Sequence, residues 1–195
     1  MNLAAFKTET TEDFYRRLMA ARQGYAFDRN IEDTLARILS SWTKGEGNMP
    51  DWLGLGEEGF FLMLQRHFPF LDSSEFINPG RPLDLSRMDE VEDLRQLLNQ
   101  SRTGHLQSER WMVDIVIAGC LGSDHLWQDL GLWERPDLSK LMMQNFASLA
   151  KRNDKDMKWK KFLYKQLCEA EGIYTCRSPS CEVCVDYEQC FNSED

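Results

Sequence analysis

No stretch of this 195-residue chain reaches the roughly 18 to 20 consecutive apolar residues that a membrane-spanning helix requires. The N-terminus does not read as a secretory signal peptide either, because Lys7 interrupts it before an apolar segment has formed. Internal repeats, low-complexity tracts and segments of strand-like alternation are also missing. From these absences we expect a cytoplasmic protein without a membrane-bound part.

Sequence patterns of several common catalytic sites are absent as well. The chain has no Walker motif, no G-x-G-x-x-G loop and no Ser-His-Asp arrangement. Positive charge is scarce relative to negative charge, and the formal net charge is −9. A chain of this charge repels a phosphate backbone overall, so non-specific binding to nucleic acid or to an anionic membrane is not expected as its main activity.

Helical periodicity is present over most of the chain. A hydrophobic content of 42% and an aromatic content of 11% are typical of a globular protein. We therefore predict an all-α fold, with a single helical domain at residues 1–172 and a C-terminal cysteine-rich metal-binding loop at residues 173–195. Capping residues, apolar spacing and Gly or Pro stops predict helices at 11–23, 28–44, 57–68, 86–100, 108–122, 125–130, 136–152 and 156–171.

Two local predictions concern the connections. Ser86, with Asp89 three positions later, resembles a capping box that opens the helix to residue 100. Five glycine and proline residues between Gly45 and Gly56 favour a loop there.

Lysines recur on the last predicted helix with helical spacing. Lys155, Lys158, Lys161 and Lys165 lie three or four residues apart, which predicts one cationic stripe. In a chain of net charge −9 this is a local exception. The stripe could dock an acidic partner or attract an oxyanion such as molybdate, and it could equally be the solvent-facing side of an amphipathic helix.

Four cysteines stand close together near the C-terminus with the spacing C-x4-C-x2-C-x5-C. Thiolate sulfur is a soft ligand that selects zinc, copper(I) and iron–sulfur clusters over hard ions. Pro179 and Ser180 favour a turn between the first two cysteines, which would let them face one point. We therefore predict that one metal centre is bound by the thiolates of Cys176, Cys181, Cys184 and Cys190.

The spacing favours an iron–sulfur-type cluster but leaves other sites open. Structural zinc sites with four cysteines usually combine two close pairs, whereas Cys181 and Cys184 form the one close pair here. The first three cysteines match the start of the plant-type ferredoxin spacing. A reducing cytoplasm disfavours a disulfide framework. Zinc, redox-active thiols and disulfides remain as alternatives.

Three further residues are weaker candidates for metal ligands. Cys168 precedes the cysteine loop on the last predicted helix and could be an auxiliary ligand or a small core residue. Cys120 and His125 lie near Asp129 and could contribute to a mixed metal site. Alternatively, Cys120 is a thiol of the core, and His125 is a histidine whose hydrogen-bonding groups have partners within the fold.

The cysteine pattern, together with two internal stretches, resembles the NifQ family of nitrogen-fixation accessory proteins. The stretches are DHLWQDLGL at residues 124–132 and NDKDMKWKKF at residues 153–162. The resemblance covers mainly residues 110–192, and the first hundred residues carry nothing diagnostic.

The resemblance implies a carrier rather than an enzyme. Such a carrier supplies molybdenum for the iron–molybdenum cofactor of nitrogenase, with molybdate as the metal source. Its cargo would be a molybdenum–iron–sulfur cluster, built on an iron–sulfur precursor and bound by the four cysteines. The implied recipients are the NifEN scaffold and NifH. Alternative interpretations are an iron–sulfur redox or sensor module, a zinc-stapled interaction module and a thiol enzyme.

Overall fold

The computed structural model describes residues 9–22, 29–104 and 106–170. Every regular element in these ranges is helical, which confirms the predicted all-α class for the described part of the chain. The predicted cysteine loop and the predicted domain boundary after residue 172 lie outside these ranges. None of the helices found there is both long and apolar enough to cross a membrane.

The α-helices are α1 (Thr11–Ala20), α2 (Arg29–Thr43), α3 (Gly56–His67), α4 (Val91–Gln100), α5 (Gln107–Cys120), α6 (Leu126–Asp129), α7 (Arg135–Asn145), α8 (Ala147–Ala150) and α9 (Trp159–Ala170).

The first two helices follow the predicted signals closely. Thr10 is the N-cap of α1, and its side-chain oxygen accepts a hydrogen bond from the backbone N–H of Asp13 at 3.1 Å. The apolar side of α2 is buried as its spacing predicts, because residues three and four apart share one face of a helix. Its inward residues are Ile31, Leu35, Ile38, Leu39 and Trp42.

Asp33 joins three helices at a polar contact on the edge of this core. Its carboxylate accepts hydrogen bonds from the Tyr15 hydroxyl of α1 at 2.6 Å and from Lys140 Nζ of α7 at 3.2 Å. Burial raises the pKa of Asp33, but the hydrogen bonds from Tyr15 and Lys140 and the charge of Arg37 outweigh burial, so this pKa lies below its usual value.

The capping box predicted at Ser86 is wrong. Ser86 lies in a short 3-10 turn, Leu85–Arg87, and its backbone N–H donates to Asp84 Oδ1 at 3.0 Å. The α-helix begins later, at Val91. An aspartate two residues upstream competes for the same N–H group, and this local contact forms a turn instead of a helix start.

Two helix boundaries in the C-terminal half also differ from the prediction. The helix predicted over 136–152 is interrupted at Phe146, whose backbone (φ −136°, ψ 50°) is not helical. The last helix begins at Trp159 rather than Asp156, whose φ is +50°. Lys155 therefore precedes α9, as does Lys158, so the four predicted lysines do not form a stripe on one helix.

The loop predicted at 45–56 contains a 3-10 turn, Asp51–Gly54. Trp52 and Leu53 both have a φ of +55°, a region that side chains with a Cβ rarely occupy. Leu53 is fully buried, and Trp52 packs against Phe60 with ring centroids 5.3 Å apart. Core packing therefore holds a backbone conformation that local sequence alone would not favour.

Phe60 of α3 stands at the centre of an aromatic cluster. Its ring has no exposed surface. The rings of Trp42 and Phe76 each lie 5.3 Å from it, and that of Phe61 lies 5.6 Å away. These centroid distances are those of favourable tilted and edge-to-face contacts.

We expect Phe60→Ala to lower the free energy of unfolding by about 3–5 kcal/mol, because it leaves a cavity inside the aromatic cluster. Phe70→Ala is the matched control, since Phe70 is 76% exposed and the same atoms are removed from water-facing surface. Urea denaturation followed by circular dichroism measures both. Equal destabilisation by the two variants would contradict this description of the core.

Candidate functional site

The four cysteines of the predicted metal loop lie outside the described residues. The last described residue is Ala170, at the end of α9, so α9 is the element that leads toward Cys176 along the chain. Cys168 lies on α9 near this end, as a free and partly exposed thiol. The assignment of Cys176, Cys181, Cys184 and Cys190 as ligands therefore stays a prediction from sequence.

Cys120 is the last residue of α5, and its thiol is buried. Burial raises the pKa of Cys120 to about 12, while the nearby charge of Lys160 lowers it and that of Asp129 raises it. Metal ligation and nucleophilic attack both need the thiolate, so this environment keeps Cys120 in its unreactive form at neutral pH.

His125 occupies the N-cap position of α6, where the sequence predicts a short element. Its residue is exposed, and its backbone N–H donates to Gln128 Oε1 at 3.3 Å. In residues 9–22, 29–104 and 106–170, no three His, Cys, Asp or Glu side chains come together as a group that could hold a metal ion. Cys120, His125 and Cys168 are thus not assembled into such a group by the described helices.

A buried carboxylate, Asp129, lies at the centre of the polar contacts in this region. It ends α6 and has no exposed surface. Its Oδ2 accepts a hydrogen bond from the ammonium of Lys160, and its Oδ1 accepts one from Asn48 Nδ2 at 2.5 Å. The backbone N–H of Asp124 also donates to Oδ1, at 3.4 Å. Both carboxylate oxygens are therefore satisfied inside the protein, as a buried charge requires.

Lys160 is the cation of this contact. It is the second residue of α9 and is 7% exposed. Its Nζ also donates to the backbone oxygen of Gly122, at 2.7 Å. A single ammonium thus joins α9 to the turn after α5 and to the end of α6. The ion pair fixes the start of the helix that leads toward the cysteines.

Gly122 is required here by close approach. A Cβ at this position would lie 2.2 Å from Asp129 Oδ1, far inside van der Waals contact. Gly47 has a similar role on the other side, where its φ is +74° and a Cβ would lie 2.9 Å from the backbone oxygen of Gln128. Asn48, the next residue, donates its backbone N–H to Asp129 O at 3.0 Å. The loop after α2 is therefore pressed against α6.

This contact brings together the two internal stretches on which the family resemblance rests. Asp129 belongs to residues 124–132, and Lys160 belongs to residues 153–162. Sequence analysis missed both roles, although a signal existed: Lys160 shares a helix face with Leu163 and Leu167, which are both buried. Asn48 lies in a glycine-rich loop, and no periodic pattern points to its contact.

A second buried polar contact joins α2 and α3. Glu32 Oε1 lies 4.0 Å from His67 Nδ1, and each side chain is 1% exposed. The ring of Trp111, on α5, lies 5.9 Å from the His67 ring. His67 is therefore a buried core residue where α2, α3 and α5 pack together.

Comparison with known proteins finds one family over most of the chain. A family model described as NifQ matches residues 34–192. "Protein NifQ" of Azotobacter vinelandii is 44% identical over 182 residues, which are 88% of this chain and 93% of that protein. "Protein NifQ" of Klebsiella pneumoniae is 35% identical over 166 residues, 82% of this chain and 97% of that protein. No solved structure matches the chain.

We expect Asp129→Asn to destabilise the protein by about 3–5 kcal/mol, because it leaves the buried Lys160 ammonium without its counter-charge. Asp154→Asn is the matched control, since Asp154 is exposed and no ion pair or side-chain hydrogen bond engages it within the described residues, so its change should stay within about 0.5 kcal/mol. Urea denaturation gives both values.

The double variant Asp129→Asn/Lys160→Met tests whether Asp129→Asn destabilises the protein through the unpaired charge of Lys160 or through altered packing. Because it removes both charges, it should be less destabilised than Asp129→Asn alone. A double variant as unstable as the sum of the two single variants would show that the two charges are not coupled.

We expect Cys120 to resist alkylation by iodoacetamide at pH 8 in the native protein, since its raised pKa and burial leave almost no accessible thiolate. Cys168, which is partly exposed, is the internal reference. Peptide mass spectrometry gives the extent of modification at each position, and denaturation in urea should make Cys120 reactive. Modification of native Cys120 as fast as Cys168 would contradict the prediction.

Proposed function

This chain belongs to the NifQ family, and we propose that it is a carrier that supplies molybdenum for the nitrogenase iron–molybdenum cofactor. Membership of the family gives it a role in nitrogen fixation, in the context of cofactor biosynthesis. The proposal adds the cargo, a molybdenum–iron–sulfur cluster, and the mode of action, which is transfer rather than catalysis. NifEN and NifH are the proposed recipients, and molybdate is the proposed source of the metal.

The observation that carries the proposal is the motif C-x4-C-x2-C-x5-C within the residues that the family model matches. Four thiolates on one short loop suit a cluster of soft metal sites. The described helices supply no competing ligand group, and Cys120 is held as a thiol. These observations favour the loop as the place where the cargo is bound.

The chemistry of the cargo fits such a loop. Molybdenum arrives in a hard oxyanion and has to be delivered in sulfur surroundings. Three of the four cysteines would hold three irons, and the fourth would bind the heterometal or leave it accessible for transfer.

The helical body has a supporting role in this proposal. α9 leads toward the cysteines, and its first turn is fixed by the buried contact between Lys160 and Asp129. This ion pair and the buried side chains of Trp159, Phe162 and Leu163 hold α9, so the chain continues toward the cysteines from a defined place on the body.

We expect anaerobically purified protein to contain iron and acid-labile sulfide, with molybdenum that leaves on incubation with NifEN and NifH. Replacing any one of Cys176, Cys181, Cys184 or Cys190 by alanine should reduce the iron or molybdenum content, because each thiolate is a ligand. Elemental analysis and sulfide determination measure these contents.

Cys120→Ala is the matched control, since Cys120 lies inside the helical body and should leave the metal content unchanged. Unchanged iron and molybdenum in any one of the four loop variants would refute the proposal that all four cysteines bind the cargo. Zinc without sulfide in the wild-type protein would instead favour a zinc-stapled interaction module.

A further inference from the structure

We propose that the turn between α8 and α9, residues 151–158, is the docking surface for an acidic protein that receives the cargo. This inference rests on the proposed carrier function and names the kind of surface that the recipient presents. It is carried by the exposure, the rigidity and the charge of the turn, and by its position at the start of α9.

Three cations project from the turn into solvent. Lys151, Arg152 and Lys155 are all exposed. In the described part of the chain, no ion pair or side-chain hydrogen bond engages any of the three. A cation of α7, Arg135, is by contrast paired with the turn, since its Nη2 lies 2.9 Å from Asp156 Oδ1. Within residues 9–22, 29–104 and 106–170, the three positive charges are therefore left open to a second molecule.

Hydrogen bonds within the turn and from α7 stabilise the conformation of the turn. Asn153 Nδ2 donates to Met157 O at 3.0 Å, and the Met157 backbone N–H donates to Asn153 Oδ1 at 2.8 Å. Arg135 Nη2 also donates to Asp156 O at 2.8 Å. Asp156 has a φ of +50°, which is unfavourable for a residue with a Cβ and persists where its surroundings hold it. A preorganised surface loses less entropy on binding than a flexible one.

The charge of the turn opposes that of the chain. Its positive groups include Lys158, and its negative groups are Asp154 and Asp156, of which Asp156 is already paired. The chain as a whole carries −9. An acidic partner would be repelled by most of this protein and attracted to the turn. The electrostatic potential of the surface therefore favours an acidic partner and also determines the orientation in which it binds.

The location of the turn suits transfer. It precedes α9, which has 12 residues and leads toward the cysteines. At 1.5 Å per residue, α9 is about 18 Å long. A protein docked on the turn would therefore lie within about one helix length of the point from which the cysteine loop continues.

A protein fits this surface better than a free oxyanion does. An oxyanion site gathers several donors in a concave pocket. The surface cavities beside Trp133, Phe61 and Arg81 are lined by other residues, and the three cations are spread along an exposed turn. A nucleic acid is disfavoured more strongly than an acidic protein, because its charge continues along the whole backbone and the rest of this chain, at −9, repels every phosphate beyond the immediate contact.

The test compares two double variants that change the net charge equally. Lys151→Glu/Lys155→Glu reverses the charge at two positions of the turn. Arg16→Glu/Arg110→Glu reverses two exposed cations on α1 and α5. Association of each protein with immobilised NifEN and with NifH is followed by biolayer interferometry from 50 to 500 mM NaCl, alongside iron, sulfide and molybdenum content and the melting temperature.

We expect the turn variant to lose about tenfold or more in association rate at 50 mM NaCl and to have a weaker salt dependence than the wild type. Its metal content and melting temperature should be those of the wild type, and the control variant should bind within about twofold of it. This pattern supports the docking surface whether or not molybdenum is transferred, so a failure of the carrier proposal would appear separately in the metal analysis.

Three results would overturn the inference. The first is equal association rates for the two variants, and the second is a wild-type protein that binds neither recipient. The third is tight binding of the wild type to duplex DNA or to vesicles containing anionic lipid at 150 mM NaCl, lost in the turn variant, since that would assign the surface to a polyanion.

Discussion

The buried ion pair between Asp129 and Lys160 is the contact on which the C-terminal half of the structure depends. Isolated charges in a protein interior are unfavourable, and a pair is tolerated only when both groups are fully hydrogen-bonded. The backbone oxygen of Gly122 and the amide of Asn48 supply the missing bonds. Packing, loop conformation and the start of α9 are consequently tied to one electrostatic contact.

The same contact explains why small residues surround it. Gly122 lies so close to the carboxylate that any side chain would displace Asp129, and Gly47 lets the loop after α2 reach the backbone of α6. Separate parts of the sequence thus meet at one place: a glycine-rich loop, a short helix and the first turn of α9. Together these contacts fix the position at which α9, the helix that leads toward the cysteines, begins.

Sequence reasoning predicts the helices well where one strong signal acts alone. The N-cap Thr10 and the apolar face of α2 are examples, since capping and 3.6-residue spacing are local or periodic properties. It fails where two signals compete, as at Ser86, where Asp84 captures the N–H that a helix start would need. It also fails at Asp156, where the predicted start of the last helix instead has a positive φ and is bonded by Arg135. The contact of Lys160 could not be predicted from sequence, because it depends on which loops meet in the fold. The cysteine ligands remain predictions from their spacing.

The ion pair also constrains how this protein can change over generations. Replacing either Asp129 or Lys160 alone leaves a charge stranded in the interior, whereas replacing both together removes the problem. A lineage that alters one position at a time must therefore cross a poorly folded intermediate. We therefore expect the two residues to be substituted together, although 31 positions separate them along the chain.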